Sequence, residues 1–153
     1  MPQSIDAALL RDRPDLAPLI EAAVAARSRA YAPYSGFPVG AALRTRDGRI
    51  YVGVNVENAS FPVTICAERS ALVAAVSLGD REFDEIVVVT DAAGPAAPCG
   101  LCRQMLAEFG LDLGVTAVGM EGPAWRLPLR DLLPVAFTAG SFEPRPTAFA
   151  PKA

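Results

Sequence analysis

The spacing of hydrophobic and polar positions changes period several times along the chain, and each change marks an element. Over residues 15–31 (DLAPLIEAAVAARSRAY), Leu16, Leu19, Ile20 and Val24 recur at spacings of three and four, the period of an amphipathic helix. The turn-rich APYSGFP follows, and VGAALRTRDGRIYVGVNVEN then reads as two strands folded about Asp47-Gly48, a dipeptide suited to a tight hairpin. After a polar and aromatic loop from Asn58 to Thr64, ICAERSALVAAVSLG carries the Ala, Leu and Val of a buried helix, with Gly79 as its stop. EIVVVT, residues 85–90, is a β-branched run of the kind buried in the middle of a sheet. DAAGPAAP is a loop, and CGLCRQMLAEFG sets Leu101, Met105, Leu106 and Phe109 at helical spacing up to Gly110. VTAVGM reads as a further strand, and WRLPLRDLLP as a strand running into a short helix.

A hairpin followed by strands alternating with helices predicts a three-layer α/β/α sandwich with a central mixed five-stranded sheet. The functional domain is expected over residues 15–138, with 1–14 as an N-terminal extension and the proline-rich 139–153 as a loose tail.

Composition narrows the function. The chain has 153 residues, enough for one domain with a single core, and its 52% hydrophobic content includes no apolar run long enough to span a membrane. The N-terminal MPQSIDAALLRDRPD has no basic leader followed by an apolar stretch, so a cytoplasmic location is expected. A formal net charge of −3 argues against a nucleic-acid polymer as partner and for a small substrate. Three cysteines cannot all pair within one chain, which makes metal ligation the leading explanation for them. There is no histidine, so no Ser-His-Asp site, His base or His ligand exists, and acid–base work falls to carboxylates or metal-bound water.

The chemistry concentrates in C-A-E (Cys66 to Glu68) and P-C-G-L-C (Pro98 to Cys102). Catalytic zinc keeps three protein ligands and an open fourth position, and Cys66, Cys99 and Cys102 supply that number. Both segments open helices, where free backbone N–H groups and the helix dipole favour thiolates. Three thiolates exceed the charge of Zn²⁺ by one, and Arg69 is the cation placed to offset the excess. Glu68 lies two residues from a ligand and is expected to reach the metal water and substrate without binding the metal. Asn55 and Glu57, two apart at a strand end, point to one face and offer an amide and a carboxylate to hydroxyl groups.

YAPYSGFPVGAAL, GVNVENAS, CAERSAL, PCGLCRQ and DLLPVAF, spread over residues 31–137, together resemble the homotetrameric cytidine deaminase family whose zinc is held by three cysteines. The resemblance implies hydrolysis of cytidine and 2′-deoxycytidine to the uridines and ammonia, in pyrimidine salvage. It implies Zn²⁺ on Cys66, Cys99 and Cys102. Glu68 takes a proton from water, protonates ring N3 and later the departing amine. Arg69 hydrogen-bonds the thiolates, Asn55 and Glu57 hold the ribose, Phe37 packs on the pyrimidine, and the Ala67 backbone N–H lies near the base carbonyl. Phe137 would enter the site of a neighbouring subunit, so that a homotetramer shares its active sites. Gln104 matches a family position without a chemical task readable from the sequence.

Other readings remain at this point. A blasticidin-type or other aminopyrimidine deaminase would use the same zinc chemistry, and a polynucleotide deaminase is disfavoured by the acidic charge. A thiol redox role for Cys99-Gly-Leu-Cys102 leaves Cys66 and Glu68 unexplained, and a non-catalytic zinc module leaves the open ligand position unexplained.

Overall fold

In a computed structural model, residues 7–92, 94–120 and 124–141 are described. Five strands, β1 (Val39–Thr45), β2 (Ile50–Val54), β3 (Phe83–Thr90), β4 (Gly114–Gly119) and β5 (Ala124–Pro128), form one sheet in the order β2-β1-β3-β4-β5. Only the β3–β4 pair is parallel, and the other three pairs are antiparallel. The Asp47-Gly48 turn joins β1 to β2 with Gly48 at φ 94°, a backbone region open to glycine.

The helices α1 (Ala7–Asp12), α2 (Ala17–Arg27), α3 (Ala67–Ser77), α4 (Gly100–Ala107) and α5 (Leu129–Leu132) divide between the two faces. Leu16, Leu19, Ile20 and Ala23 pack on Ala42, Val87, Val89 and Val118, with Leu9 and Leu10 of α1 alongside. The opposite face joins α3, α4 and α5 to Ala41, Leu43, Ile86, Val88 and Val115. Alternate residues of β1 and β3 thus serve two cores, which is why both strands read as nearly unbroken apolar runs. This is the three-layer sandwich with a mixed five-stranded sheet that the pattern predicts.

Two boundaries differ from the sequence reading. The helix expected over 15–31 is shorter, because Pro14–Leu16 form a 3-10 turn and Tyr31 leaves to bridge Val56. Residues 7–12, expected as part of an extension, form a helix, and Arg13 just after it reaches the buried Glu85 at 3.5 Å. The tail expected over 139–153 lies outside the described residues apart from a 3-10 turn at Ala139–Ser141.

One close approach positions the chemistry. A Cβ at Gly53 of β2 would stand 2.3 Å from the Ala67 carbonyl oxygen and 2.3 Å from the Ala71 amide. Only glycine lets the first turn of α3 lie directly on the hairpin.

Candidate metal centre and nucleoside site

α3 and α4 begin at the same end of the sheet, near the carboxyl ends of the parallel strands, where α/β folds bind ligands. Cys66 and Cys99 each occupy the residue before a helix, in extended conformation, and Cys102 lies in the first turn of α4. Cys66 is one residue outside the helix the sequence suggested for it. The three sulfurs lie within 4.8 Å of one another, with Cys66 Sγ to Cys99 Sγ at 3.9 Å and Cys99 Sγ to Cys102 Sγ at 3.4 Å. Sulfurs at about 2.3 Å from a tetrahedral zinc would be about 3.8 Å apart, so this donor set fits the ion in both chemistry and spacing.

Two of the thiols are pushed in opposite directions. The Cys66 pKa is drawn down to about 5 by its hydrogen bond with Cys102, and then by Arg69 and Cys99. The Cys102 thiol moves the opposite way, because that same hydrogen bond and burial hold its proton. Arg69 Nη2 donates to the Thr64 carbonyl at 2.9 Å and lies 3.9 Å from Cys66 Sγ. Its buried Nε has no hydrogen-bond partner among the described residues, a donor left over next to the sulfurs. Glu68, only 5% exposed, sits in the first turn of α3. Burial raises its pKa, and the neighbouring Cys66 charge adds to the rise.

Asn55 and Glu57 both hydrogen-bond the segment that carries Phe37. Asn55 Nδ2 donates to the Phe37 carbonyl at 2.9 Å, and Asn55 Oδ1 accepts from the Val39 amide at 2.8 Å. One N–H and one lone pair of this amide remain for another partner. Glu57 accepts from the Tyr34 amide at 2.8 Å, the Ser35 amide at 3.2 Å and the Ser35 hydroxyl, and the Ser35 hydroxyl lowers its pKa foremost. Phe37 is 38% exposed, whereas Ala67, the first residue of α3, is fully buried. Phe137 is 60% exposed, on the segment that follows α5.

Three features were not read from the sequence. Tyr34 and Phe61 meet edge to face at 5.6 Å, joining the Phe37 loop to the turn before Cys66. Arg103 donates to the Pro98 carbonyl at 2.7 Å and to the Leu132 carbonyl at 2.8 Å. Gln104 exchanges hydrogen bonds with the backbone of Phe137. Apart from the Arg103 bond to Pro98, five residues away, each joins residues far apart in the chain, so no local pattern announces them. A cleft of about 520 Å³ lined by Thr45, Asp47, Arg49 and Asp80 lies at the opposite end of α3. Its Arg49 is already paired with Asp47 and Asp80.

Comparison with known proteins agrees with this geometry. Residues 15–118 match the family described as the cytidine and deoxycytidylate deaminase zinc-binding region. A cytidine deaminase of Sporosarcina psychrophila is 46% identical over 81% of this chain and 92% of its own length. One of Halalkalibacterium halodurans is 48% identical over 79% of this chain and 92% of its own. The crystal structure of a Burkholderia pseudomallei cytidine deaminase superposes with a TM-score of 0.76 at 53% identity, covering 78% of this chain and 97% of that one.

Proposed function

This chain belongs to the cytidine and deoxycytidylate deaminase family, and we propose that its Cys66, Cys99, Cys102 and Glu68 form the centre at which it deaminates cytidine and 2′-deoxycytidine. The enzyme is a zinc-dependent hydrolase: the nucleoside and water give the uridine nucleoside and ammonia. The observation that carries the site assignment is the meeting of three sulfurs with a buried glutamate at two helix starts.

Cys66, Cys99 and Cys102 hold the zinc, which when bound acidifies a water ligand towards neutral pKa. Arg69 and the two helix N-termini offset the surplus negative charge of the thiolates. Glu68 takes a proton from the attacking water and delivers it to N3 as the water oxygen adds to C4. It then passes the second proton to the departing amine, so the carboxylate returns to its starting state. The Phe37 ring faces the base, the Ala67 amide lies near the base carbonyl, and Asn55 and Glu57 take the ribose hydroxyls. The hydrogen bonds that Asn55 and Glu57 make to residues 34–39 support this, because they tie the sugar and base contacts into one unit.

We place the functional domain at residues 15–138 and the enzyme in cytoplasmic pyrimidine salvage. No described helix is long and apolar enough to cross a membrane. A homotetramer with Phe137 entering a neighbouring site is supported by the exposure of Phe61 (68%), Leu101 (68%), Val135 (93%) and Phe137 (60%). A solution mass of four chains is the expected result, and a monomer would count against shared sites.

The function is tested by following cytidine, deoxycytidine and blasticidin-type aminopyrimidines with zinc measured on the same sample. Turnover of the two nucleosides that a chelator removes and zinc restores is expected. Zinc-loaded protein that ignores both nucleosides but deaminates another aminopyrimidine would replace this reading.

A further inference from the structure

Resting on the proposed function, we infer that Gln104 is a positioning residue whose side-chain amide clamps the backbone of Phe137 and so sets where that ring stands against the substrate. Gln104 lies on α4 two residues after Cys102, so its place is tied to the sulfur cluster. Its Nε2 donates to the Phe137 carbonyl at 2.7 Å, and its Oε1 accepts from the Phe137 amide at 3.3 Å. Both ends of one amide are spent on one residue, as in a strand pair.

The segment so held needs holding. Residues 133–138 contain no helix or strand, and the side chains of Val135 and Phe137 are 93% and 60% exposed. Within the chain itself, burial therefore fixes neither position. The preceding residue of α4, Arg103, bonds the carbonyls of Pro98, just before Cys99, and of Leu132. Arg103 and Gln104 together fasten both ends of the stretch from Leu132 to Phe137 to the helix that carries two of the sulfurs. Fixing the backbone of an exposed aromatic ring by two hydrogen bonds lowers the entropy lost when a flat ligand packs on it.

The test is a double-mutant cycle on KM for cytidine. Gln104→Met keeps the volume and removes both hydrogen bonds, and it should raise KM about tenfold while kcat stays within about twofold and zinc remains stoichiometric. Gln104→Glu keeps the acceptor for the Phe137 amide and should fall between. In a Phe137→Ala background, Gln104→Met should add nothing further, because the ring it positions is gone. An unchanged KM in Gln104→Met overturns the inference, as does a full additional effect in the double variant. If Phe137→Ala alone leaves KM unchanged, the shared-site reading fails and the clamp with it. A wild-type enzyme inert to cytidine would instead indict the function itself.

Discussion

The protein buries two glutamates and treats them in opposite ways. Glu85, 1% exposed at the start of β3, accepts from Thr116 at 2.8 Å and Arg126 at 3.0 and 3.2 Å, and Arg13 stands 3.5 Å away. A Cβ at Gly114 would meet Glu85 Oε2 at 2.2 Å, so β4 is also shaped around this carboxylate. Glu68, 5% exposed at the other end of the sheet, has no Lys or Arg within ion-pair distance among the described residues. Its neighbours are sulfurs and a helix start. The difference fits separate purposes. Glu85 is tied to a threonine and two arginines as a structural group, whereas Glu68 is buried without a paired cation, as the proposed proton carrier requires.

The comparison can be broken at three levels. Cys102→Ala should have the largest effect, reducing bound zinc to background in a metal assay and cytidine turnover with it. Retained zinc with normal turnover would remove the sulfurs from the account. Glu85→Gln should lower the unfolding free energy by about 2–3 kcal/mol in denaturant titration, since two arginines lose a buried anion. Its kcat should match wild type at a temperature where both are folded, and a selective loss of kcat would erase the contrast with Glu68.

The smallest effect is one of pH. Hydrogen bonding to Arg13 foremost, and to Arg44, holds the Asp15 carboxyl well below its ordinary 3.8. A depressed folded-state pKa gives stability that is present above the unfolded value and lost as pH falls through the folded one. Asp15→Asn should therefore be slightly less stable near neutral pH, by under about 1 kcal/mol because Asp15 is 42% exposed, and should decline less between pH 4 and acid denaturation. Parallel acid melts of the two proteins would reveal equal slopes if the ion pair contributes nothing.

How much was legible beforehand follows from the range of the contacts. The Asp47-Gly48 hairpin, the β-branched run of β3 and the glycine stops at Gly79 and Gly110, with φ of 100° and 136°, are local signals, and each was readable. Cys66, Glu68, Cys99 and Cys102 were legible because two short motifs carry them to helix starts. The purpose of Glu85 was not, since its partners lie 31, 41 and 72 residues away in sequence. Gln104 and Phe137 are 33 apart, which is why the glutamine stood without a task until the fold joined them. Helix α1 escaped because a six-residue helix with no fully buried side chain leaves little periodic trace.

The most direct measurement is cytidine turnover by Glu68→Gln, with zinc determined on the same sample. Stoichiometric zinc, an intact fold and a kcat lower by about a hundredfold to ten-thousandfold are expected, because the proton carrier is gone while every ligand stays. Turnover near that of wild type at full zinc loading would take the proton-carrier role away from Glu68.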